Sequence, residues 1–181
     1  INRKKYDDAL ALIDECYIYP THLGEGKLPG AQENDFNYYK AYILQQQGRP
    51  EEAHSLFVKA CSGNSQPAAA MYYNDQKPDK IFYQGLAYRK LGEEEKARSR
   101  FNQLITYGEE HLFDRFKMDY FAVSLPDLLI WEDDMDKKNR IHCNYLMALG
   151  HLGLGNRTKA EHFFDIAASM DNNHQGVQIH R

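Results

Sequence analysis

Four times in this chain an alanine is followed four residues later by a bulky apolar side chain and three residues after that by a small or aliphatic one. The sets are Ala9, Ile13, Cys16; Ala53, Phe57, Ala60; Ala97, Phe101, Leu104; and Ala160, Phe164, Ala167. Offsets of four and three place each set on one face of a helix, and a strand would scatter them over both faces. The first three alanines are spaced by 44 residues and the fourth lies 63 further on. Gly48, Gly92 and Gly155 each stand five residues before an alanine of the pattern. A glycine between two amphipathic stretches ends one helix and permits the next to reverse. The chain therefore reads as all-α, a series of antiparallel helix hairpins.

The segment KIFYQGLAYRKLGEEEKARSRF shows the unit at its clearest. Gly85 and Tyr88 lie seven and four residues before Gly92, and Ala97 and Phe101 lie five and nine after it. Small residues let two helices cross closely while an aromatic fills the gap between them. This spacing resembles that of the tetratricopeptide repeat family. The resemblance implies an α-solenoid, and it extends over about two-thirds of the chain. An uninterrupted repeat of that kind has a period of about 34 residues. The spacings of 44 and 63 thus leave extra chain, which falls in segments 20–33, 61–78 and 106–140. The expectation is one helical-repeat domain over 1–181 with inserted loops and short helices. The chain opens at Ile1 within a helical pattern, as a piece of a longer protein would.

Element by element, residues 3–17 read as a second helix lacking its first. Asn34 or Asp35 is expected to cap the helix that ends at Gly48, and Pro50 suits the first turn of the next. A short helix is expected over 67–73, and Pro78-Asp79 opens the following pair. Beyond Thr106 the pattern loosens, with one or two short helices and a break at 124–127. The last hairpin turns at Gly155.

Composition narrows the classes. The formal net charge is −4, which gives no electrostatic reason to bind nucleic acid. No apolar run approaches the roughly 18 residues of a membrane span. Three scattered cysteines make no disulfide framework, and each falls in a helical pattern where a small buried thiol is expected. A cytoplasmic location is slightly favoured. Tyrosine is abundant, 13 beside 9 Phe and 1 Trp. Such rings fill repeat cores, and they also line peptide and sugar sites.

In stacked hairpins the first helix of each pair lines the inner surface. Its inward positions fall 13, 10, 6 and 3 residues before the turn glycine. They are Asp35, Tyr38, Tyr42 and Gln45 before Gly48; Asp79, Phe82, Leu86 and Arg89 before Gly92; and His142, Tyr145, Leu149 and Leu152 before Gly155. An aromatic recurs at the second position, as Tyr38, Phe82 and Tyr145. Such rings form either a stacking ladder for a ligand or a layer buried by the inserted segments. Repeats that clamp a peptide carboxylate resemble one another in placing Lys and Asn here, and this chain departs from that pattern. The inserted loops offer a second set, Tyr72, Asn74, Asp75 and Asp127, whose polar groups among aromatics suit a sugar cleft or serve as turn chemistry. His142, Cys143 and His151 lack metal-ligand spacing, and 132–136 lacks the glycine and terminal Glu of a calcium loop. No phosphate loop or nucleophile elbow is present, and no cofactor is implied.

A narrower resemblance rests on LPGAQEND (28–35), AMYYND (70–75), DYFAVSLPD (119–127) and NRIHCNYLMALGHLGLGN (139–156). These segments resemble the C-terminal repeat region of large bacterial proteins carrying an aldose-epimerase-like β-sandwich domain of unknown function. The resemblance implies a carbohydrate-related context. The expectation is a non-catalytic module making protein, peptide or interdomain contacts through its inner face. The alternative is an accessory domain contributing to a sugar-binding cleft.

Overall fold

The computed structural model describes residues 4–19, 22, 26–27, 30–70, 77–115 and 134–181. Among them lie eight α-helices and no strand: α1 Tyr6–Cys16, α2 Asn34–Gln46, α3 Pro50–Ala60, α4 Lys80–Lys90, α5 Glu94–His111, α6 Met135–Gly153, α7 Arg157–Met170 and α8 Gln175–His180. The chain divides into two compact units, Ile1–Gln103 and Leu104–Arg181, with the boundary inside α5.

The three predicted turn glycines close their helices in the same way. Gly48, Gly92 and Gly155 have φ of 76°, 80° and 79°, a conformation in which any Cβ is strained. At each turn two N–H groups cap the open carbonyls of the preceding helix. Gly48 and Arg49 donate to Gln45 and Leu44, Gly92 and Glu93 to Arg89 and Tyr88, and Gly155 and Asn156 to Leu152 and His151. This double closure satisfies acceptors that a helix end otherwise leaves open.

In the first unit, α2 and α3 form a hairpin around Ala41, Leu44, Ala53, Phe57, Ala60 and Ala87, with Leu10 of α1 packed on the edge. Full burial of a ring such as Phe57 contributes about 2–3 kcal/mol. Helix α1 runs antiparallel to α2: Asp7 accepts from Gln47 at 2.7 Å, Asp14 pairs with Lys40, and Tyr17 donates to Asn37 at 3.0 Å. Gly85 of α4 fulfils the close-crossing expectation. A Cβ built there would meet Cζ of Phe101 at 2.7 Å, so the aromatic sits directly on the backbone.

The second unit is the α6–α7 hairpin with α8 folded against it. Its core includes Leu104, Cys143, Leu146, Leu149, Phe164 and Val177. Helix α5 continues to His111, past the point where the pattern loosens. Gly108 explains this, because a Cβ there would stand 2.7 Å from the Cys143 carbonyl, so α5 is held tightly against α6. Asn139 donates to the last carbonyl of α5, His111 O, at 2.7 Å.

Several expectations are corrected. Neither Asn34 nor Asp35 caps α2; the N-cap is Glu33, with no side-chain bond. Asn34 instead donates to the Ala60 and Ser62 carbonyls at 2.7 and 2.8 Å, where the end of α3 leaves acceptors open. Of the helix expected over 67–73, residues 67–70 are irregular, with Ala70 at φ 50°, and 71–73 lie outside the described residues. Cys16 is exposed rather than buried, whereas Cys143 is buried and Cys61 is partly so. Of the stretch beyond Thr106 where one or two short helices are expected, the residues to His111 belong to α5 and those from Met135 to α6, while 116–133, with the expected break at 124–127, lie outside the described residues.

Candidate functional site

Helices α2 and α4 pack side by side in the first unit, and their contacts climb together. Asp35 pairs with Lys80 at 2.5 Å. The Tyr39 and Tyr83 hydroxyls lie 3.2 Å apart, and their rings 5.5 Å. Lys90 donates to Gln45 at 3.1 Å and sits 5.2 Å from the Tyr42 ring centroid. Partners 35 and 80, 39 and 83, and 45 and 90 are offset by 44 or 45 residues. The two helices therefore run parallel and in register with the period read from the sequence.

This arrangement gives the surface two differently charged ends. At the N-terminal end stand Asp35 and Asp79, and each keeps a buried Oδ1 without a hydrogen-bond partner. At the other end stand exposed Arg89 and Lys90 with Gln45. Acids at helix N-termini and bases at C-termini also suit the helix dipoles. Arg89 is braced by Glu94 at 3.1 Å and lies 5.1 Å from the Phe101 ring centroid. Tyr42 is half-buried between the two ends.

The recurring aromatics are structural partners first. Phe82 is buried, 5.9 Å from Phe101. Tyr38 is partly buried, with its ring 5.8 Å from Phe57 and 6.0 Å from Tyr83. Burial, aided by neighbouring Tyr39 and Tyr42, pushes the Tyr38 hydroxyl up to about 12. In the second unit Tyr145 is buried beneath α8. A Cβ at Gly176 would meet its hydroxyl at 2.5 Å, and His174 lies 4.7 Å from the ring. An open ladder of these three rings is thus absent: cores cover two of them, and the third is partly covered. Half-buried His142 lies edge-on to Tyr107 at 6.3 Å. Tyr72, Asn74, Asp75 and Asp127 lie outside the described residues.

Where the described parts of segments 20–33 and 61–78 meet, a cleft of about 340 Å³ is lined by Gln32, Glu33, Asn34, Asn37, Lys59 and Ser62, among others. An amide network adjoins it through Asn34 and Ser62. Gln84 donates to the Ser62 and Asn64 carbonyls at 3.1 and 3.0 Å and accepts from Arg100 at 3.1 Å. Asn34 is only 2% exposed, and its Oδ1, like Gln32 Oε1, has no hydrogen-bond partner. Helix α2 starts beside this cleft with no side-chain cap, so its first N–H groups add donors to the open acceptors of the region. A hydroxyl group, which donates and accepts, satisfies both kinds.

Burial pushes the Cys61 thiol up to about 11 and the Cys143 thiol up to about 12, so both stay protonated at neutral pH. Among the described residues no group of three His, Cys, Asp or Glu side chains is placed to hold a metal ion, and no helix is long and apolar enough to cross a membrane.

Sequence reasoning missed Lys80, Lys90, Asn34 and Gln84. The two lysines stand one residue beyond Asp79 and Arg89, the positions that a 44-residue shift aligns with Asp35 and Gln45, so the period alone does not name them. The amides were hidden by their type: Asn at a helix start reads as a cap. No known protein-family model matches this chain, and no solved structure matches it.

Proposed function

We propose that this chain is a non-catalytic helical-repeat module of the tetratricopeptide type, a short solenoid whose α2–α4 face receives an extended peptide or a neighbouring protein segment. The observation carrying the reading is the parallel, in-register packing of α2 on α4, since repeated hairpins stacked with constant rotation place their first helices in this relation. The face offers a half-buried ring, Tyr42, between an acidic end at Asp35 and Asp79 and a basic end at Gln45, Arg89 and Lys90. A peptide with a basic and an acidic end is thereby given a direction. Phe82 and Tyr38 support the surface from beneath. The test is selection from a displayed peptide library, followed by affinity measurement on Tyr42→Ala with Arg89→Ala. Selected peptides should weaken at least about tenfold while the helical signal is kept. Failure to enrich any peptide, or equal binding by the variant, would remove the reading.

A second reading is favoured by the orphaned polar groups of the cleft beside Asn34. There the chain would supply part of a site for a neutral, hydroxyl-rich ligand such as a sugar, as the narrower family resemblance implies. Calorimetric titration with neutral mono- and oligosaccharides should give saturable heat that Asn37→Ala reduces. Silence across the series would exclude it.

A further inference from the structure

Helix α1 is packed on one side only. Toward α2 it is fastened by Leu10 and by the polar contacts of Asp7, Asp14 and Tyr17. Among the described helices it packs on no other. Its Ala9, Ile13 and Cys16 repeat, at the same offsets, the Ala53, Phe57 and Ala60 that α3 buries. On α3 that face is covered by the antiparallel helix α2, which brings Ala41 and Leu44 onto it and the Tyr38 ring to 5.8 Å from Phe57. On α1 the stripe is open, and Leu12 beside it and Ile18 just beyond the helix are exposed. The edge of the stripe is acidic. Asp8 and Glu15 stand seven residues apart, with Leu12 between them at offsets of four and three, so the three are neighbours on the helix surface. From Tyr6 to Cys16 there are four carboxylates and no lysine or arginine. Asp7 and Asp14 are engaged by α2. Asp8 reaches Lys5 at 3.8 Å with both side chains exposed, and Glu15 is exposed as well.

We propose that the outer face of α1 is a docking site for a basic amphipathic helix of a partner protein. The apolar stripe calls for a helix that presents apolar side chains three or four residues apart with a small one among them, as α2 does to α3. The edge calls for lysine or arginine. Asp8 and Glu15 are about 10 Å apart along the helix axis, so a matching helix carries two bases about two turns apart. A second copy of this chain does not meet that requirement. In an antiparallel pair of α1 helices, the orientation that α2 takes on α3, a two-fold axis keeps both acidic edges on the same side. Asp8 and Glu15 of each copy would then stand in one row of like charge. The stripe makes the site adhesive, and the edge selects a basic partner over self-pairing.

This site is distinct from the α2–α4 face, and either can fail without the other. The probe is a fluorescent helical peptide with tyrosine, alanine and leucine spaced as on α2 and two lysines at the matching interval. Its control carries glutamates in place of the lysines. Anisotropy titration with the chain should show saturable binding of the lysine peptide, and binding of the glutamate peptide at least about tenfold weaker. Asp8→Lys with Glu15→Lys should reverse that order while the circular dichroism spectrum is kept, since both side chains are exposed. Leu12→Ser should weaken the lysine peptide without changing the order. No saturation by the lysine peptide, equal binding of the two peptides, or a charge-reversed chain that keeps the original order would overturn the assignment. Loss of binding in Tyr42→Ala with Arg89→Ala would place the probe on the α2–α4 face and overturn it too. So would dimers in sedimentation equilibrium that Leu12→Ser dissolves, since the face would then belong to a second copy.

Discussion

Helices α1 and α3 carry the same pattern at the same offsets, yet their surroundings differ. In α3, Ala53, Phe57 and Ala60 are buried against α2 and α4. In α1, Ala9 and Ile13 are only partly covered and Cys16 is exposed, while Leu12 shows 63% of its surface. Helix α3 is packed from two sides, by its hairpin partner and by α4. Helix α1 touches α2 alone among the described helices. The spacing of small and bulky residues thus states which face of a helix is fit for burial. A second helix has to arrive before that face contributes its full hydrophobic free energy.

The contrast can be broken most directly by truncation. Phe57→Ala should cost about 3–5 kcal/mol, because it empties a closed site. Ile13→Ala should cost about 1 kcal/mol or less. Urea unfolding followed by circular dichroism measures both, and comparable losses would mean that α1 is packed as tightly as α3. A middle-sized effect is expected where α2 meets the end of α3. Asn34→Ala leaves the Ala60 and Ser62 carbonyls without its amide and should cost about 1–3 kcal/mol. A neutral result would show that water serves these carbonyls equally well.

The smallest effect is a pH dependence in the second unit. His151 is buried, with its ring stacked on Phe163 at 5.5 Å and an interplanar angle of 6°. Desolvation, and then Lys159, hold its pKa below the ordinary imidazole value, against a weaker opposing pull from Glu109. The folded state therefore binds a proton less readily than the unfolded state. The associated stability is complete above the unfolded value, near 6.5, and is lost as pH falls through the lower folded value. His151→Tyr keeps a stacked ring without this titration. Its urea midpoint should fall less on acidification than that of the natural chain, and parallel decline in both would remove the assignment.

How much of this was legible follows from the range of each interaction. The turns at Gly48, Gly92 and Gly155 and the close crossing at Gly85 are local or nearly so, and the spacing announces them. The pairing of Asp35 with Lys80 lies one residue off the period of 44, which aligns Asp35 with Asp79, so the period brings the two helices together without naming the pair. The cover over Tyr145 was not legible, because it depends on Gly176 and His180, which belong to a helix too short to show a period. Asn34 misled for a different reason: an amide that caps its own helix and one that caps a neighbour look identical in sequence. Of the predicted surface, Asp35, Tyr42, Gln45 and Arg89 stay at least partly accessible, whereas Phe82 and Tyr145 went inside. Periodicity names the face of a helix and is silent on what comes to rest on it.

The parallel register of α2 and α4 also acts as a ruler. Helices packed side by side stand about 8–10 Å apart, and a polyproline II chain advances about 3.1 Å per residue with about three residues per turn. A peptide crossing the pair in that conformation therefore sets every third side chain over a new helix. Tyr42 and Leu86, one period apart in sequence, would sample residues i and i+3 of whatever lies across them.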